Sequence, residues 1–104
     1  MTGPGDDFPR LTFAFPMDER EQYEAEARGY LSHAKVVLAN GRVHPVVFYD
    51  HVRLGQDLEH EVGEGRVYVA DPGMIVLEAV TMENMHAAVR ELAGTGFFDA
   101  LVPE

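Results

Sequence analysis

Cysteine and tryptophan are absent from the 104-residue chain, and serine and lysine occur once each, at Ser32 and Lys35. Without cysteine there is no disulfide, no thiolate metal ligand and no cysteine nucleophile, and the redox compartment stays open. Bases are scarce as well: 8 Lys and Arg stand against 18 Asp and Glu, a net charge of −10, and acids outnumber bases in every third of the chain. A partner that must displace counterions from a nucleic-acid backbone needs a basic surface, and so does one that docks on anionic lipid. Neither nucleic acid nor membrane is therefore an expected partner. No apolar run approaches the ~18 residues of a membrane span. The opening MTGPGDDFPR has no basic and apolar regions of the secretory type. The expectation is a cytoplasmic protein.

What is present is ordinary globular composition, 46% apolar and 25% charged, in a length that suits one core. Residues 1–9 read as a loose Gly, Pro and Asp tail and 10–104 as a single α+β domain. Leu11, Phe13 and Phe15 alternate with Thr12 and Ala14 as in a half-buried strand, which Pro16 stops. Asp18 with Glu21 three residues later predicts a helix start, and Gly29 predicts its end. Asn40-Gly41 between two apolar runs is a strong hairpin signal, since both residues accept positive φ. Asp50 caps a helix that ends near Gly63 or Gly65. RVYVADPGMIVLEAV reads as a second hairpin turned at Asp71-Pro72-Gly73, followed by a helix capped at Thr81 and ending at Gly94 or Gly96.

These spans predict an antiparallel or mixed sheet of about five strands with two to three helices. Its layout is a βα unit followed by two ββα units, whose turns and helix caps coincide at an offset of 31 residues. The alternative is a ferredoxin-like βαββαβ order with an added strand and helix.

The densest polar stretch is FYDHVRLGQDLEHEV, residues 48–62, with two histidines among its carboxylates. At 100° per residue Leu54, Leu58, Val62 and His51 share a stripe expected to be buried, while Arg53, Asp57, His60 and Glu64 face the other way. An acid three before a histidine, at Asp57/His60 and again at Glu83/His86, is the spacing of carboxylate-bridged metal sites in helix bundles. The two pairs do not match between the repeated units, so no metal and no cofactor is expected. G-x-S-x-G, phosphate-loop and H-E-x-x-H patterns are missing, and the glycine pairs at 63/65 and 94/96 follow helices where phosphate loops precede them. Met82, Met85, Val89 and Leu92 read as a core stripe.

No catalytic residues are assigned. His44, Tyr49 and His51 are the polar handles that a ligand pocket between sheet and helices would use. The strands VVLA, PVVFY, VYVA and MIVL are apolar on both faces, so the sheet needs two covers. If the N-terminal helix does not supply the second, a face with Val43, Val47, Tyr49, Val67 and Val76 is left for a partner, most simply a second copy in a homodimer. The expected function is a non-enzymatic protein-interaction module that self-associates. Two other expectations stand beside it: a small-molecule binder or enzyme built on the three handles, and an acidic nucleic-acid mimic.

Overall fold

The computed structural model describes residues 8–102, so most of the expected 1–9 tail lies outside the described residues. Four strands and three helices follow in the order β1 (Arg10–Phe13), α1 (Glu19–Arg28), β2 (Tyr30–Val37), β3 (Val43–Asp50), α2 (His51–Gly63), β4 (Met74–Leu77) and α3 (Met82–Gly94). A single 3-10 turn at Phe97–Ala100 follows α3. No helix among the described residues is long and apolar enough to cross a membrane.

The strands lie side by side in chain order. β1 pairs antiparallel with β2, and β2 with β3, around the Asn40-Gly41 turn, where Leu38 N–H donates to Arg42 O at 2.9 Å. β4 then joins β3 in parallel, with α2 inside the crossover. The sheet is therefore mixed and α+β holds, but it has four strands where five were expected. The missing strand is Arg66–Ala70, which carries no ladder. A parallel crossover explains this: α2 carries the chain about 20 Å along the helix axis, and the residues after it return to the start of β4, alongside the helix. The Asp71-Pro72-Gly73 turn does form, with Met74 N–H on Asp71 O at 3.1 Å, but it ends this return run and joins no two strands. The double ββα layout is not realised. Neither is the split βαβ of the ferredoxin-like order, whose first two strands run parallel; β1 and β2 are antiparallel.

All three helices start on a side-chain cap, since Asp18, Asp50 and Thr81 accept from the N–H groups of Glu21, Arg53 and Asn84 at 2.9, 2.8 and 3.1 Å. Gly29 ends α1 at φ 66°, and a Cβ there would collide with the Asp50 carboxylate. The end of one helix and the start of the next are thus packed into one node.

One face of the sheet, with Leu11, Val36, Val46, Phe48 and Ile75, is buried against Met85 and Val89 of α3 and against Phe98. α1 adds only Ala25 to that core. Pro45, whose missing N–H suits an edge, sits in the inner strand β3, but β4 pairs only from Val47 onward, so no ladder on that side reaches Pro45.

The other side of the sheet carries α2, and here the structure corrects the sequence. Arg53, Leu54, Asp57 and Glu61 are the half-buried positions, whereas His51, Leu58 and Val62 are exposed. The helix is turned by about a quarter from the orientation its apolar stripe implies. Its polar side is drawn down because Arg53 lies over the Tyr30 ring at 4.7 Å and pairs with Asp57 at 3.0 Å. Between His51 and Pro72 no residue is buried.

Candidate functional site

Strand alternation decides what β3 can present. His44, Val46 and Phe48 point into the core, while Val43, Val47 and Tyr49 point to the side of α2. His44 is 0% exposed, 6.0 Å from the Phe98 ring, and neither ring nitrogen has a hydrogen-bond partner among the described residues. His51, placed by the sequence on a buried stripe, is exposed at the first position of α2. The three expected handles are therefore divided among a core face, an outer face and a helix start.

Only Tyr49 of the three borders the cleft beside α2. This cleft, about 550 Å³, opens between α2 and the return run 66–71 and is also lined by Tyr49 of β3. Asp57, His60 and Glu61 wall it from the helix, and Arg66, Tyr68 and Asp71 from the return run. Glu61 ties the two walls together, accepting from the Arg66 guanidinium at 2.7 Å and, through its carbonyl, from the Arg66 N–H at 2.8 Å. The Tyr49 ring meets Tyr30 edge-on at 5.0 Å.

Burial raises the Tyr49 pKa above its ordinary 10.0, and Tyr30, Asp57 and Asp71 push it further in that direction, against the opposing pull of Arg53. The phenol is therefore held in its neutral form at ordinary pH. It can donate or accept a hydrogen bond, and it is the reverse of an activated base or nucleophile. No group of three or more His, Asp or Glu among the described residues is placed to hold a metal ion.

Of the expected interface residues, Val67 is 85% and Val76 49% exposed, Val43 and Val47 are half-buried, and Tyr49 is covered by its own chain. The sequence singled out Tyr49 and the Asp57–Glu61 cluster without joining them. It gave Arg66, Tyr68 and Asp71 to a hairpin. The usable signal was their spacing, since positions 66 and 68 of an extended run face the same way. Comparison with known proteins finds no matching family model, no matching curated protein and no matching solved structure.

Proposed function

We propose that this protein is a non-enzymatic, cytoplasmic interaction module that assembles with a second copy of itself. The contact uses the outer surface of α2, and the exposed Val67 and Val76 are further candidates for it. One observation carries this reading: Leu58 and Val62, the apolar stripe of an amphipathic helix, are 39% and 57% exposed. Monomeric proteins seldom leave a helix stripe uncovered, and large apolar patches mark contact surfaces. A second copy is the simplest cover, because a two-fold contact needs a single patch.

Charge supplies a discriminating test. Two copies at −10 each repel, so salt that screens the repulsion strengthens self-association, whereas a contact with a basic protein weakens in salt. Light scattering on a sizing column at low and high salt should give twice the chain mass of 11.6 kDa, favoured by salt. Leu58→Asp with Val62→Asp should return the protein to one chain mass while leaving its circular dichroism intact. A wild-type protein that runs as a monomer at both salt concentrations would sink the proposal.

The cavity at Tyr49 favours a second reading, a small-molecule binder. Its polar walls are Asp57, His60, Arg66 and Asp71, not His44 and His51.

A further inference from the structure

The α2 cleft contains more carboxylate than its own cations neutralise. Asp57 is engaged by Arg53 at 3.0 Å and Glu61 by Arg66 at 2.7 Å. Asp71 has no side-chain hydrogen bond or ion pair among the described residues; its carbonyl alone is used, by the N–H of Met74. Each guanidinium thus has its carboxylate, and one carboxylate is left over at the mouth of the cavity.

Tyr49 is the independent second sign. It is 5% exposed, it borders the same cavity, and its hydroxyl makes no hydrogen bond among the described residues. The ring is nearly buried, but its oxygen is not among the fully enclosed polar atoms that lack a partner, so it opens onto this space. Here the free hydroxyl and the free carboxylate border the same space, with the Tyr68 ring on its wall. The neighbouring cluster already uses an aromatic face for a cation, with Arg53 over Tyr30 at 4.7 Å.

We propose that the cleft between α2 and residues 66–71 binds a small organic cation, a primary amine or guanidinium compound. The cation's N–H groups are shared between the Asp71 carboxylate and the Tyr49 hydroxyl, and its body lies against Tyr68. The neutral state of the phenol suits this role, because a tyrosine oxygen accepts from an ammonium without surrendering its own proton. A metal ion is the poorer occupant, since no three ligating side chains converge. An anion is poorer still, facing three carboxylates and one guanidinium on the walls. The volume, about 550 Å³, lies in the range of small-molecule sites. This inference enlarges the second functional reading and is independent of self-association, which the charged residues of the cleft do not control.

The test is titration calorimetry of the full chain with agmatine, which carries both an amine and a guanidinium, beside succinate as an anionic control of similar size. Agmatine should bind saturably and more weakly in high salt, and succinate should give no saturable heat. Asp71→Asn, at an exposed position, should lower agmatine affinity by about tenfold or more, the worth of a charge-assisted hydrogen bond. Tyr49→Phe, which keeps the ring packing, should lower it several-fold, and Glu83→Gln on α3 should leave it unchanged. Absence of saturable agmatine binding to the folded wild type would overturn the proposal. So would an Asp71→Asn affinity equal to that of Glu83→Gln. Either result leaves the light-scattering outcome untouched.

Discussion

α2 and α3 are both thirteen residues long, both begin on a side-chain cap and both carry an apolar stripe. α3 buries Met85 and Val89 against the sheet, with Met82, Ala88 and Leu92 packed around them. α2 buries nothing and turns Leu58 and Val62 outward. The pattern of a helix therefore says which side is apolar, not that the side finds a partner within the chain. What separates the two is the surface beneath them. α3 meets Val46, Phe48 and Ile75, whereas α2 meets Tyr30 and Tyr49, and the Tyr30 ring takes the Arg53 guanidinium on its face.

Paired truncations sharpen this contrast most. Met85→Ala should lower the urea-unfolding free energy by about 2–5 kcal/mol, the usual range for opening a core cavity. Leu58→Ala, measured where the protein is monomeric, should change it by less than about 1 kcal/mol, as for other exposed positions. Equal losses would abolish the distinction between the helices. The junction before α2 should be nearly as sensitive as the core. Gly29→Ala forces a left-handed backbone on alanine and drives its methyl into Asp50, so a loss of about 1–3 kcal/mol is expected in the same assay.

Smaller effects probe the two faces of β3. His44→Leu removes two unpartnered buried nitrogens, so unfolding should show unchanged or slightly raised stability, by up to about 1 kcal/mol; a loss typical of a broken core would mean that the ring is hydrogen-bonded. On the α2 side, the folded state holds the Tyr49 proton more tightly than the unfolded chain does. The stability that this contributes is complete below pH 10.0 and declines as pH rises toward the higher folded value. Ultraviolet titration should show one of the four tyrosines ionising last, and Tyr49→Phe should remove that late step.

Local chemistry made much of the fold legible. The three caps, the Asn40-Gly41 hairpin and the glycine helix ends all act within a few residues, and each stands where the sequence put it, although of the two hairpin residues only Gly41 takes positive φ. Arg66–Ala70 has the β-branched, aromatic composition of a strand, yet the crossover that brings β4 parallel to β3 takes those residues for the return path. Propensity cannot register such a demand from distant chain. The candidate site follows the same division. The Asp57–Glu61 cluster and Tyr49 stand out in the sequence, but their meeting with Arg66, Tyr68 and Asp71 depends on which way α2 is rotated, and that is set by Tyr30, more than twenty residues earlier.

The packing of Gly29 on Asp50 has a consequence for how this chain can change over generations. A side chain added at 29 meets the carboxylate at 50, and that carboxylate holds the first turn of α2. Substitutions at the two positions are therefore non-additive, and the tolerated set is one of pairs. Gly29→Ala should be milder in a background where Asp50 is shortened to serine, which still caps a helix and withdraws the colliding atoms. In a family of such chains, positions 29 and 50 would vary together as one heritable unit, although twenty-one residues separate them.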